Sequence, residues 1–391
     1  MKILTGILNV IKIIFLYLFT GLIGLFIPKN KKIVIITASK GKFYNGNAQA
    51  LFEYIMEEDN TLEVYFFLSK KDLYQNLSMK KTNIVYQYSV KGILLFLRAR
   101  TVCITHGQAD LLGFPISPWQ NWIFLGHGIG TKALGFLKDK IPFLERVQIM
   151  LNKLYTYIIT SDFDRYMFCA MNHMKPSKIV ITGYPRTDTL LKAKKETSGK
   201  EKTILYVPTY RTDGITRLFP FDEFRIEDFL EFLDRKEINI DIRFHPNNYK
   251  GSRDAIKEIL ASSLKIKDKS LDVVEDVQDL LLDADILVTD FSSISRDFLL
   301  LDRPMIFIMN GIEDLGNLAF PIRKEYAFCG YKVRTYQQFI QAVEEILSGR
   351  DQFKQVRGFV RDLSYNDLDG ESSKRVAKLI KSLARIKDEE G

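Results

Sequence analysis

Two stretches of the chain put reactive side chains where a backbone can bring a ligand close. The first is GHGIGTKALG, residues 126–135, where His127 stands between two glycines and Lys132 follows in the same loop or first helical turn. Glycine lets a backbone approach a ligand closely. A neutral imidazole, with an ordinary pKa near ~6.5, can take a proton from an attacking hydroxyl. The bland alternative is a histidine that hydrogen-bonds its own loop. His106, in THGQAD one strand earlier, is a second candidate of the same kind. The other stretch is the Ser292-Ser293 pair in VTDFSSISRDFLLLDRPMIF. It follows a short apolar run that ends at Thr289-Asp290. A helix opening there offers unpaired N–H groups and a partial positive charge to a phosphate, and Ser292 or Ser293 is positioned to cap it.

Two more apolar runs end in polar groups. One stops at YVPTYR, leaving Arg211 at its carboxyl end; the other stops at RFHP, where Arg243 and His245 alternate around Phe244 and Pro246 fixes the turn. Arg211, His245 and the serine pair thus finish three strands of one half of the chain. Open α/β sheets bind ligands at the carboxyl ends of their strands, so the convergence says more than any one residue. Asp285 and Asp290 flank a strand as structural or sugar-contacting groups. No aspartate pair is spaced to hold a catalytic metal, and no cofactor is expected.

The elements that must position these groups read as alternating strands and helices. Strands are expected at 32–37, 62–68, 84–86, 101–105, 122–125, 179–181, 203–207, 240–244, 286–288 and 305–308, with short candidates at 264–267 and 273–274 and a basic helix at 90–100. A helix is expected from 292 to about 301. This alternation argues for a doubly wound parallel sheet. The lysine-rich, Gly- and Ser-containing stretch 190–202 reads as a linker between two domains. The division expected is 1–30, 31–195, 196–368 and 369–391.

With 46% hydrophobic and 27% charged residues, the chain is globular rather than disordered. Its three cysteines, Cys103, Cys169 and Cys329, fit no zinc spacing or disulfide framework, which suits a reducing compartment. The net charge of +8 implies an anionic partner. Nucleic acid is disfavoured, because no zinc finger, RNA-binding motif or Lys/Arg-dense arm is present. Anionic lipid and a phosphate-rich substrate fit better, since basic residues cluster beside apolar segments at both ends. Residues 3–27 are almost wholly apolar and run into Pro28-Lys29-Asn30-Lys31-Lys32. Such a segment either spans a bilayer, lies in its interface, or is a buried helix. The positive-inside bias then puts the rest of the chain on the cytoplasmic face of the membrane. Residues 369–391 form a basic amphipathic helix, either a last packing helix or a second membrane-contacting face.

Taken in order, HGIGTKALG, GYPRTD, YVPTYR, RFHP, VTDFSSISRDFLLLDRPMIF and DGESSKRV resemble the CDP-glycerol glycerophosphotransferase family, the teichoic-acid primases and polymerases and their capsule-synthesis relatives. The resemblance covers roughly residues 30–385. It implies a GT-B fold, two Rossmann-like domains facing each other across a cleft. It also implies a CDP-glycerol or related CDP-alditol donor bound mainly by the second domain, and a hydroxyl acceptor on a polyprenyl-linked glycan or polymer. By motif position, His127 matches the family's proposed base and Lys132 the lysine of its His-Gly loop. Arg211, His245, Ser292 and Ser293 match donor phosphate contacts; Arg243, Thr289 and Asp290 accompany them as substrate-binding candidates. Where the family loop usually reads HGTPLK this chain has HGIGTK, and Phe291 stands where tyrosine is usual; the first change bears on acceptor specificity. The expected chemistry is in-line phosphoryl transfer with release of CMP, His127 taking the acceptor's proton. The alternatives are a GT-B glycosyltransferase using a nucleotide sugar, and an inactive membrane-docked binding protein.

Overall fold

The computed structural model describes residues 2–129, 135–138, 140–193, 201–209, 218–244, 259–270, 274, 276–310 and 328–386. The chain forms two compact units. The first comprises Met1–His127, Ile141–Asp188 and Asp369–Gly391; the second comprises Gly128–Lys140 and Thr189–Leu368.

In the first unit seven strands form one sheet: β1 (Asn30–Ile36), β2 (Glu63–Leu68), β3 (Ile84–Tyr86), β4 (Ala99–Ile104), β5 (Asn121–Phe124), β6 (Thr156–Ile159) and β7 (Ile179–Ile181). Their order is β3-β2-β1-β4-β5-β6-β7 and every pairing is parallel. In the second unit β8 (Lys202–Val207), β9 (Ile238–Ile242), β10 (Ile266–Asp268), β11 (Ile286–Thr289), β12 (Met305–Ile308) and β13 (Tyr331–Val333) form a parallel sheet in the order β10-β9-β8-β11-β12-β13. Each order reverses once, between β1 and β4 and between β8 and β11. At such a point the loops leave adjacent strands in opposite directions and open a crevice at their carboxyl ends.

The apolar runs explain the sheets. β11 (ILVT) and β12 (MIFI) are buried at every position, as a strand covered on both faces must be. Alternate residues feed opposite cores. Ile204, Tyr206, Ile286, Val288, Ile306 and Ile308 pack with Phe229, Leu233 and Phe339. Leu205, Leu287, Met305 and Phe307 pack instead with Phe298 and Leu299.

Some local expectations change. The helix expected at 90–100 is capped by Ser89, whose hydroxyl accepts from the Gly92 N–H at 3.0 Å, and stops at Arg98 because Ala99 already begins β4. The helix after β11 is short, Ile294–Phe298, and tightens into a 3-10 turn over Leu299–Leu301. Ser293 makes no side-chain cap: its backbone is already helical (φ −62°, ψ −14°), whereas a capping residue needs an extended backbone to fold its hydroxyl back. Ser292 Oγ stands 3.5 Å from the Ile294 nitrogen, too far for an effective cap. Of the candidate strand 273–274 only Val274 is described, and it is not in a strand.

The N-terminal helix, Lys2–Gly24, packs one face on the first unit. Thr20 is buried and donates to the Leu16 carbonyl at 2.7 Å; Leu16 packs against that unit's core, and Gly21 lies against Pro115. Ile11, Ile14, Phe15, Leu18 and Leu22 form an exposed apolar stripe on the other side. Among the described residues no helix is long and apolar enough to cross a membrane, so the structure lends no support to the spanning reading. The last helix, Ser372–Ala384, is a packing helix: Val376, Ala377, Ile380 and Ala384 are buried. Its first N–H groups, those of Ser372 and Ser373, donate to the Asp188 carboxylate at 2.9 and 2.8 Å, which joins the GYPRTD and DGESSKRV motifs. Gly183 makes room for this contact, since a Cβ there would fall 2.2 Å from Ser372 Oγ.

Candidate functional site

In the first unit the reversal between β1 and β4 is closed by one residue. Asp110 is fully buried. Its Oδ2 accepts from the backbone N–H of Thr105 (2.6 Å) and His106 (2.8 Å) and from the Thr105 hydroxyl (3.1 Å). Its Oδ1 accepts from the Lys40 N–H (2.6 Å), tying the loop after β4 to the loop after β1. His106, at the head of the tied loop, shares a 2.7 Å hydrogen bond between its Nδ1 and the Thr105 hydroxyl.

His127 follows β5 on the neighbouring loop. Its ring stacks on that of His106, with centroids 4.6 Å apart and planes 11° from parallel. Its Nδ1 lies 3.3 Å from the Thr105 carbonyl oxygen. A carbonyl only accepts, so this contact assigns the proton to Nδ1 and leaves Nε2 with a lone pair. The loop is held from behind by Asn47, buried, whose amide donates to the carbonyls of Leu125 (2.8 Å) and Gly126 (3.2 Å). Arg186 of the GYPRTD motif donates to the His127 carbonyl at 2.9 Å. Gly126 has φ +66°, and a Cβ there would stand 3.1 Å from the Tyr184 hydroxyl, so glycine is required on both counts.

The electrostatics keep His127 neutral. Desolvation by its surroundings, followed by the neighbouring His106, lowers its pKa to about 4; the Thr105 carbonyl pulls the other way. His127 as a residue nevertheless keeps exposed surface. His106 is also lowered by burial, against the pull of Asp110. Near neutral pH the pair therefore presents a fixed, uncharged imidazole with a free nitrogen, the state a general base needs.

In the second unit the reversal between β8 and β11 is closed in the same manner. Asp290, buried, accepts from the N–H groups of Phe291 (2.8 Å) and Thr209 (3.1 Å) and from the Thr209 hydroxyl. Thr289 is fully buried and gives its hydroxyl to the Val207 carbonyl at 2.6 Å, so it braces the loop from behind instead of facing a ligand. Ser292 and Ser293 follow, both half-buried, at the mouth of this reversal. Arg243 is also a brace. Its guanidinium donates to the carbonyls of Lys269 (3.0 Å) and Val274 (2.5 Å), its N–H to Tyr206 (2.9 Å), and burial lowers its pKa. Lys132, Arg211 and His245 lie outside the described residues.

Sequence reasoning missed Asp110 and Asn47. Asp110 sits inside the quoted THGQAD stretch, and an aspartate four residues past a strand-end histidine was the only available signal.

Comparison with known proteins gives a family and a fold. Residues 21–382 match the model of CDP-Glycerol:Poly(glycerophosphate) glycerophosphotransferase. The chain is 26% identical over 378 residues to a teichoic acid glycerol-phosphate transferase of Staphylococcus aureus, covering 90% of this chain and 93% of that protein. It is 26% identical over 383 residues to a teichoic acid poly(glycerol phosphate) polymerase of Bacillus spizizenii, covering 91% and 93%. Among solved structures, the wall teichoic acid polymerase TagF in a CDPG-soaked form superposes with a TM-score of 0.76 at 18% identity, over 91% of this chain and 90% of that one. A UDP-GlcNAc 2-epimerase from Neisseria meningitidis bound to UDP-GlcNAc gives 0.53 at 13% identity, over 90% and 99%.

Proposed function

The chain belongs to the CDP-glycerol:poly(glycerophosphate) glycerophosphotransferase family, and on that footing we propose that it moves glycerol phosphate, or a related alditol phosphate, from a CDP-alditol to an acceptor hydroxyl in teichoic-acid or capsule synthesis. The acceptor is a membrane-bound, polyprenyl-linked glycan or polymer, and the enzyme works at the cytoplasmic face of the membrane. The acceptor oxygen attacks the glycerol-bearing phosphorus. The bond from that phosphorus to the bridging oxygen breaks, CMP leaves with the bridging oxygen, and the acceptor's proton passes to His127 Nε2. A loose transition state of this kind asks for positioning and charge stabilisation more than for a strong base, so a histidine of lowered pKa suffices. Arg211, His245 and the N–H groups at Ser292-Ser293 meet the charge on the leaving CMP, and Lys132 is assigned to substrate binding.

The observation that carries this reading is the His127 ring, neutral, with Nδ1 on the Thr105 carbonyl and Nε2 free. The exposed stripe on the N-terminal helix and the net charge of +8 support the membrane side of the reading. The test is incubation of the purified chain with a short lipid-linked acceptor and a panel of CDP-glycerol, CDP-ribitol, UDP-sugars and GDP-sugars, with mass spectrometry of the products. CMP release with one alditol phosphate added per turnover is expected. UDP or GDP release with sugar addition would replace the reading by glycosyl transfer, and donor binding without turnover on any acceptor would replace it by a binding role.

A further inference from the structure

At the amino-terminal edge of the first sheet lies a cavity of about 430 Å³ whose lining, among the described residues, includes Lys29, Lys31, Arg100, Arg385, Phe26 and Trp119 and no acidic residue. Topology gathers these groups. Lys29 and Lys31 flank the start of β1, Arg100 the start of β4, Trp119 precedes β5, and Arg385 ends the last helix in a left-handed turn (φ +54°). Two of the cations are held in place by backbone. Lys29 Nζ donates to the carbonyls of Gly24 (3.0 Å) and Leu97 (2.6 Å), and Arg100 donates to the Trp119 carbonyl (2.7 Å). Lys31 and Arg385 are exposed. The rim continues into apolar surface: Leu22, Leu25 and Phe26 of the N-terminal helix and its exit, and Trp119, are all more than half exposed.

We propose that this cavity binds the phosphate of an anionic membrane phospholipid, with the exposed stripe of the N-terminal helix seated in the adjoining acyl region. Four cations, with no carboxylate among the described lining residues, complement a phosphate headgroup, and the contiguous aromatic and aliphatic surface complements the chains beneath it. A soluble anion would use the charge but leave that apolar rim in water. The site is separate from the transfer chemistry. His106 follows β4 at its carboxyl end and Arg100 opens it, so the two edges lie ~20 Å apart at ~3.3 Å per residue. The inference rests on the membrane reading above for the origin of the lipid, and on none of the residues assigned to catalysis.

Flotation of the full chain, without donor, on vesicles of phosphatidylcholine alone and of phosphatidylcholine containing phosphatidylglycerol tests it. Arg100→Gln with Arg385→Gln should weaken binding to the anionic vesicles about 25-fold, since each cation at a membrane surface contributes roughly a factor of five. Lys71→Gln with Lys267→Gln, exposed lysines away from this edge, should change it less than about twofold. Lys31→Gln, an exposed position, serves as a milder variant should the arginine pair lower solubility, with about a fivefold loss expected. Equal binding to both vesicle types, or equal loss in cavity and control pairs, overturns the proposal. So does inorganic diphosphate bound in solution as tightly as the anionic vesicle, which would assign the cavity to a soluble anion. Because no donor is present, these outcomes stand whether or not glycerol phosphate transfer is found.

Discussion

Replacing Asp110 by asparagine keeps the shape of the side chain and removes one acceptor and the charge. In the native protein the two carboxylate oxygens accept from three backbone N–H groups, at 2.6, 2.8 and 2.6 Å, and from the Thr105 hydroxyl. An asparagine has one oxygen and one NH₂ group. Oriented toward Thr105 and His106 it points its NH₂ at the Lys40 N–H; flipped, it orphans the other two. The better orientation still loses the part-buried hydrogen bond from the Lys40 N–H to a charged acceptor. That costs roughly 1–3 kcal/mol. For a unit of about 200 residues, such as the one that holds Asp110, ~1 kcal/mol moves the midpoint by ~2–4 °C, so the thermal midpoint followed by circular dichroism should drop by about 6 °C. Turnover of the folded fraction should fall about tenfold, because the loop bearing His106 is no longer tied to the loop after β1 and the ring stacked on His127 loses its anchor. A midpoint within ~2 °C of the parent would refute the role given to Asp110.

Three further substitutions probe the same framework. His106→Phe keeps a ring against His127 but removes the proton that opposes protonation of its neighbour. Two unit charges 4.6 Å apart in a water-like medium repel by about 0.9 kcal/mol, so the acid limb of the kcat profile should move to higher pH by about 0.7 unit. Lys40, Asp110 and Arg186, the other charged groups facing the pair, stay in place, and an unmoved or lowered acid limb would show that His106 does not set the base's pKa. Gly126→Ala forces a side chain into φ +66° and against Tyr184, and should cost ~1–2 kcal/mol and lower turnover by displacing the His127 loop; unchanged kinetics would contradict the tight approach described. Asp188→Ala orphans the N–H groups of Ser372 and Ser373 and should lower stability by ~2–3 kcal/mol, read by denaturant unfolding, while activity per folded molecule persists.

Much of this architecture was legible in the sequence because a parallel sheet buried on both faces needs short, continuous apolar runs. The runs that become β1, β8, β11 and β12 are visible without any pairing partner. The strand-end loop that carries His127 was legible for a local reason, the two glycines that flank it. What stayed hidden depends on residues far apart in the chain. Asp110 gains its role only when β1 and β4 lie side by side and bring Lys40, 70 residues away, to its carboxylate. Asn47 meets Leu125 and Gly126 across 78 and 79 residues. Arg243 looked like a ligand because it ends a strand, yet its guanidinium reaches the carbonyls of Lys269 and Val274, whose positions no local pattern specifies. The serine pair was read correctly as the mouth of a strand end, but capping depends on the backbone angles of Ser293, which its identity does not fix.

The most direct test of the account is the rate of CMP release from CDP-glycerol on a lipid-linked acceptor for His127→Ala beside the parent chain, with donor Kd measured by calorimetry on the same preparations. A general base that touches only the acceptor proton predicts a fall in kcat of ~10²–10⁴-fold with donor Kd within about twofold. A turnover within a few-fold of the parent would contradict it and move the role of base to His106.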